Sequence, residues 1–165
     1  MWLLLLAVAR ADRVDQILYV VGDRIVTTSD LHFEEDFDLH DRSPIPPMED
    51  PAYPLEERLI DYAILRARAG DINVFKPSPA ELRDRFDSFR SSFEDPLAFR
   101  AFLESWGLDD DRFQAFLYSR LVVEHYVYRT VGLAVQQLRG GPEQWRSLYA
   151  ELTTKLRVGT VVRKP

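Results

Sequence analysis

The sequence contains no cysteine among its 165 residues. A chain without thiols forms no disulfide, holds no thiolate zinc site, offers no cysteine nucleophile and carries no lipid-modified cysteine. Packing must therefore hold the fold together. With 46% hydrophobic residues, a chain of this length can bury a core of its own without cross-links.

An excess of basic charge is absent as well. The 27 Asp and Glu residues outnumber the 21 Lys and Arg residues, and the formal net charge is -6. A nucleic-acid binder needs a basic surface to replace phosphate counterions, and docking on an anionic membrane surface needs the same sign of charge. We therefore expect neither nucleic acid nor such a membrane surface as a partner.

Long apolar runs are missing too. Residues 2–8 form an apolar run of seven, whereas a membrane-spanning helix needs about 20 residues, so we expect no stable membrane insertion. The run is followed by Ala9, Arg10 and Ala11, which is typical of a signal-peptide cleavage site. We predict a secretory signal over residues 1–11, without the usual basic start, and one exported domain over residues 12–165. The alternative is a buried N-terminal strand or helix.

Motifs for covalent chemistry are also lacking. The sequence has neither a Gly-rich phosphate loop nor a G-x-S-x-G elbow. His32 and His40 would lie about 12 Å apart along a helix, too far for one metal ion. The acidic residues 109–111 lack the ligand spacing of a calcium loop and are better explained as charges at a helix N-terminus. We predict no catalytic residue, no metal and no cofactor.

The secondary-structure pattern predicts a mainly α fold with one small sheet. Two β-rich runs flank Gly22 and Asp23, which is typical of a tight hairpin. Helices are predicted over residues 31–40, 55–69, 79–93, 96–107 and 109–131, and a last helix opens at residue 142. The final strand, residues 158–162, has no strand neighbour in sequence. We therefore expect it to pair with the N-terminal hairpin and to bring both chain ends into one sheet.

Two segments depart from ordinary patterning. Residues 41–54 hold half of the ten prolines, which predicts a semi-extended loop, either a plain connector or a proline-rich ligand for a partner. The long helix over residues 109–131 has too many apolar positions for one stripe. Such a helix either lies at the centre of the core or offers a second face to something else.

Three stretches, in this order and spacing, resemble the SurA-type periplasmic chaperones. They are VDQILYVVGDRIVTTSDL at residues 14–31, LIDYAILRARAGDINVFKPSPAEL at residues 59–82, and FRAFLESWGLDDDRFQAFLYSRLV at residues 99–122. Residues 142–162 are similar to the closing helix and strand of that family, while residues 12–132 correspond to its N-terminal part. The proline-rich segment is unlike the typical member. The resemblance implies a helical core completed by a small sheet.

What the resemblance implies about function is an ATP-independent periplasmic chaperone, a holdase for unfolded or outer-membrane polypeptides. Such a protein needs an exposed apolar groove. We take the aromatic side chains of the third and fourth predicted helices and of the long helix as candidates for peptide binding, with core packing as the alternative for each. They are Phe86, Phe89, Phe93, Phe99, Phe102, Trp106, Phe113, Phe116 and Tyr118.

Members of this family usually carry parvulin-type prolyl isomerase domains between the long helix and the closing segment. Only residues 133–141 lie in that gap here, so we predict no isomerase activity and no enzyme. The main alternative is a dedicated adaptor, or a subunit of an envelope complex, that uses the same groove for one partner. A residual isomerase is a third alternative. A homodimer could form by exchange of the terminal elements.

Overall fold

The computed structural model describes residues 15–41, 43–45, 48, 53–134 and 141–164. Within these ranges the chain is mainly helical with one small sheet, which confirms the predicted fold class. The predicted signal segment, residues 1–11, and much of the proline-rich segment lie outside the described residues.

An antiparallel sheet of three strands joins the two ends of the chain. Strand β1 is Ile17–Val21, β2 is Arg24–Thr27 and β3 is Val162–Arg163, in the order β2-β1-β3. Gly22 opens the two-residue turn of the hairpin with a φ of 63°, a conformation that side-chain-bearing residues rarely adopt. The last strand pairs with β1, as predicted, but it is shorter than residues 158–162 because the preceding helix continues through Val158.

Six α-helices are present in the described residues. They are α1 (Thr28–Asp38), α2 (Leu55–Ala69), α3 (Pro79–Ser91), α4 (Pro96–Ser105), α5 (Asp110–Val127) and α6 (Pro142–Val158). A short 3-10 turn, Asn73–Phe75, precedes α3. The prediction for α1 was wrong by three residues at its start and two at its end.

Side-chain caps account for most of the helix starts. The hydroxyl of Thr27 accepts a hydrogen bond from the backbone N–H of Asp30, whose carboxylate accepts the N–H of Thr27 in return at 2.8 Å. This reciprocal cap starts α1 earlier than the apolar pattern suggested. Ser78 forms a capping box of the same kind at the start of α3, and the side chain of Asp109 caps α5.

Helix α5 is followed directly by a turn of π-helix. After Val127 the chain continues as a π-helical turn, Tyr128–Gly132, in which the N–H of Leu133 donates to the carbonyl of Tyr128. Such i→i+5 turns are rare in proteins, and those that occur are often located at functional sites. The predicted helix over residues 109–131 therefore changes its hydrogen-bond pattern after Val127 and continues through Gly132.

Two hydrophobic cores fill the molecule. The sheet-side core lies between the sheet, α2, α5 and α6, and it includes Ile45 and Met48 of the proline-rich segment. The second core, called the aromatic core here, contains Phe37, Phe86, Phe89, Phe99, Leu103, Phe113 and Leu117. The long helix α5 contributes to both, since Leu117 is buried in the aromatic core and Val123 in the sheet-side core. Its excess of apolar positions is therefore explained by a central place in the core.

The closing helix is tied to α2 by a buried carboxylate. Asp61 is fully buried, and its oxygens accept hydrogen bonds from Tyr53 and from Arg157 of α6, at 2.6 and 2.8 Å for the guanidinium. Arg157 also forms an ion pair with Glu57 at 2.6 Å. Several donors around one buried charge satisfy it, so the contact fixes α6 in place. Along the described part of the chain, every helix falls short of the length and apolarity that crossing a membrane requires.

Candidate functional site

The aromatic core is built around a stack of three buried phenylalanines. The ring centroids of Phe37 and Phe89 are 5.1 Å apart and nearly parallel, and those of Phe89 and Phe113 are 4.7 Å apart. These rings come from α1, α3 and α5, so three helices converge on the stack. Aromatic contacts of this kind add about 0.5–1.5 kcal/mol per pair beyond the burial of their area.

A row of half-buried rings lies over this stack. Phe33 contacts Trp106 at 5.4 Å and Phe102 at 6.2 Å, Phe102 contacts His40 at 6.0 Å, and His40 stacks on Phe93 at 3.7 Å. Each of the five side chains is neither fully buried nor fully exposed. We call this continuous row the aromatic strip. It follows the seam between α1 and α4, and it is the largest set of connected, partly exposed rings in the described residues.

Helix α4 borders the strip without packing tightly against its neighbours. Its backbone approaches no other described element over more than a few residues, so side chains, chiefly phenylalanines, hold it in place. Two leucines in this region are largely exposed. Leu39, which precedes His40, is 79% exposed, and Leu97, in the first turn of α4, is 73% exposed. The strip therefore has apolar surface at its edge that the fold leaves in solvent.

The nine aromatic residues predicted for peptide binding fall into three groups. Phe86, Phe89, Phe99 and Phe113 are buried in the aromatic core and offer almost no surface to a partner. Phe93, Phe102 and Trp106 belong to the strip, and Phe116 lies beside it with its ring 4.9 Å from Phe33. Tyr118 is partly exposed but contacts none of the other eight rings in the described chain.

Sequence reasoning missed the contribution of α1. Phe33, Phe37 and His40 follow one another at spacings of four and three residues, which places them on one face of a helix. That spacing could have identified them. His32 and His40 have different neighbours, since His40 stacks on Phe93 while His32 pairs with Glu35. The described residues contain no cluster of three or more side chains suited to a metal.

His40 is held in one orientation within the strip. The hydroxyl of Ser92 donates to the carbonyl of Phe89 at 2.7 Å, so its oxygen is free to accept the Nδ1–H of His40 at 3.0 Å. Burial lowers the pKa of His40, and the nearby carboxylate of Asp36 opposes this effect only in part. The imidazole therefore favours the neutral form, which suits a ring packed among phenylalanines.

A buried arginine joins the aromatic core to the sheet-side core. The guanidinium of Arg120 forms an ion pair with Glu34 of α1 and lies 5.0 Å from the ring centre of Phe37, 4.7 Å from Tyr62 and 5.2 Å from Phe116. Burial by itself lowers the pKa of Arg120. The surrounding acidic groups, Glu34 first among them, together raise that pKa by more, so the guanidinium stays charged. Guanidinium groups stack well on aromatic faces, and this one fixes α1 against α2 and α5.

A second ion-pair group extends this junction. Arg85 of α3 contacts Asp41 at 2.7 Å and Glu124 of α5 at 3.0 Å. Burial raises the pKa of both carboxyl groups, and the charge of Arg85 opposes that rise. The contacts are internal to the fold, so we assign them a structural role. They link α3 and the segment after α1 to α5.

A comparison of the sequence with protein-family models and with curated proteins finds no match. The inference of function therefore depends on the geometry of the site. The most distinctive surface of the described residues remains the aromatic strip, a connected row of rings supported by a rigid core.

Proposed function

We propose that this protein is an ATP-independent chaperone that binds unfolded polypeptides, outer-membrane polypeptides among them, in the periplasm. The observation that carries this proposal is the aromatic strip, a connected row of partly exposed rings. Unfolded chains expose apolar and aromatic side chains, and such side chains pack favourably on rings. The sequence offers no phosphate-binding loop, so the binding would need no nucleotide.

The small apolar area of the strip suits weak and reversible binding. Covering roughly 200 Å² of apolar surface is worth about 5 kcal/mol before the cost of association, which is of similar size. Leu39, which is exposed and next to His40 in sequence, enlarges the surface that a bound chain can cover. A holdase must release its clients without an energy source, so modest affinity for many sequences is the useful property.

The strip lies on packed side chains, and that also favours binding. The rings rest on the buried stack of Phe37, Phe89 and Phe113, and Arg120 locks α1 to the rest of the core. A surface that is already ordered pays little entropy when a client binds. Net negative charge keeps the molecule soluble while an apolar surface is exposed.

The experiment follows light scattering as a denatured porin is diluted with or without the purified protein. An unrelated unfolded soluble protein is diluted in parallel. We expect suppression of both at near-stoichiometric ratios. A variant that combines Phe93→Ala with Phe102→Ala should lose most of this effect, because it removes two partly exposed rings of the strip.

Tyr118→Ala is the matched control, since Tyr118 is a partly exposed aromatic residue outside the strip. It should suppress aggregation as well as the parent chain does. Equal loss in both variants would remove the strip as the site. If the parent protein suppresses the aggregation of neither client, the holdase proposal is removed and an adaptor with one dedicated partner is favoured.

A further inference from the structure

An open cleft lies further along α5, beyond the reach of the aromatic strip. It has a volume of about 450 Å³, within the range of ligand sites in proteins. His125 is nine residues beyond Phe116, which is about 14 Å along the helix. The cleft is therefore a separate surface, and nothing in the proposed function requires it.

The π-helical turn shapes one wall of this cleft. Tyr128 and Leu133 are five residues apart and would point in different directions on an α-helix. In the π turn they are linked by the hydrogen bond from the N–H of Leu133 to the carbonyl of Tyr128, so both side chains line the cleft. Gly132 permits this arrangement, since an added Cβ would lie 2.7 Å from the ring of Trp145 and 2.8 Å from that of Tyr128.

The apolar part of the cleft is open to solvent. Val74 is 48% exposed, Tyr128 41% and Leu133 46%. An enclosed small-molecule site would bury most of its lining. These exposed walls fit a partner that lies across the cleft from outside, such as an extended peptide segment.

The charges of the cleft favour an anionic partner. Its one carboxylate, Glu81, accepts the backbone N–H of Ser78 at 2.7 Å and lies 3.4 Å from Nε2 of His125. That His125 ring is fixed by its Nδ1–H, which donates to the carbonyl of Phe75 at 3.1 Å. Glu81 is thus engaged within the fold.

The two basic side chains of the cleft differ from Glu81 in this respect. Neither Lys76 nor Arg129 forms an ion pair with any residue that the structure describes, although acidic residues outnumber basic ones in the chain. Two unpaired cations beside three exposed apolar side chains are complementary to a carboxylate with an apolar neighbour.

We propose that this cleft binds an extended segment of a protein partner in which an acidic side chain lies next to apolar ones. Lys76 and Arg129 contact the carboxylate, while Val74, Tyr128 and Leu133 receive the apolar side chains. Elsewhere on this acidic protein such a segment meets more like charge than opposite charge, so the cleft gives it a preferred location.

The test uses an acetylated, amidated octapeptide in which Leu-Asp-Phe is flanked by Gly and Ser residues. Binding to the purified protein is measured by calorimetry and by NMR shifts of the peptide. We expect saturable binding of this aspartate peptide. A second peptide, identical except for asparagine in place of the aspartate, should bind at least fivefold more weakly. The variant with Lys76→Ala and Arg129→Ala should bind the aspartate peptide about tenfold more weakly.

Lys155→Ala is the control for loss of a surface cation elsewhere, because Lys155 is an exposed residue of α6 about 15 Å along that helix from Trp145. It should leave the affinity unchanged. The proposal is overturned if the peptide does not bind, if asparagine serves as well as aspartate, or if the control loses as much affinity as the double variant. Since no aggregation is measured, the result does not depend on whether the protein is a holdase.

Discussion

Replacing Arg120 with methionine should cost a large part of the stability of this protein. Methionine fills a similar volume but cannot pair with Glu34, which is 4% exposed. The carboxylate would be left buried with its ion-pair partner gone. Breaking a buried pair in this way costs about 3–5 kcal/mol.

That loss is large on the scale of a folded domain, whose total stability is about 5–15 kcal/mol. Part of the effect comes from the three rings around the guanidinium, those of Phe37, Tyr62 and Phe116. Removing both charges should be milder, because no unpaired group remains. The double variant Glu34→Leu with Arg120→Met should therefore be more stable than Arg120→Met by itself.

The assay is urea unfolding followed by far-UV circular dichroism, with the free energy taken from linear extrapolation. Arg112→Met is the matched control on the same helix, since Arg112 is 72% exposed and its contact with Asp109 spans 3.8 Å. It should change the free energy of unfolding by less than about 0.5 kcal/mol. A cost below about 1 kcal/mol for Arg120→Met, or a double variant no better than the single one, would refute the reasoning.

Three further predictions concern single positions. Gly132→Ala should destabilise the protein by about 1–3 kcal/mol in thermal unfolding, because its Cβ would overlap the ring of Trp145 at 2.7 Å. Ser78→Ala should cost about 1 kcal/mol by removing the α3 cap, whereas Ser88→Ala on the exposed side of that helix should cost far less. Since burial lowers the pKa of His40, its contribution to stability is present above about pH 6.5 and is lost as the pH falls. His40→Phe should therefore reduce the drop in unfolding free energy between pH 7.5 and pH 5.

Each of these has a clear contrary result. An unchanged melting temperature for Gly132→Ala would show that the rings move aside freely. Equal effects of the two serine substitutions would contradict the cap. A steeper pH dependence after His40→Phe would mean that protonated His40 is stabilised in the folded state.

Much of the fold could be predicted from sequence because its signals are local. The capping box at Ser78, the acidic cap at Asp109 and the turn at Gly22 each depend on a few neighbouring residues. The pairing of β3 with β1 followed by elimination, since an isolated strand must pair with another one. Its bounds were less accurate, because where α6 ends depends on how far its last turn stays packed.

The candidate site was harder to predict, because its parts are distant in sequence. Whether a phenylalanine lies in the buried stack or in the strip depends on the packing of α1, α3, α4 and α5 together. Phe89 and Phe93 are one helical turn apart, yet one is 1% exposed and the other half-buried. The π turn has no clear sequence signature either, since it is fixed by Trp145 packing against Gly132 from another helix.

Site-specific photo-cross-linking tests the central claim, client binding at the aromatic strip, most directly. A photoreactive phenylalanine analogue would replace Leu39, Leu97 or Val158 in turn, all of which are largely exposed. Leu39 is next to His40 of the strip in sequence and Leu97 lies on α4, the helix that carries Phe102, whereas Val158, which is 88% exposed, ends α6. We expect cross-links to a denatured porin from positions 39 and 97 and few from position 158. Equal cross-linking from all three positions, or cross-linking from position 158 only, would contradict the account.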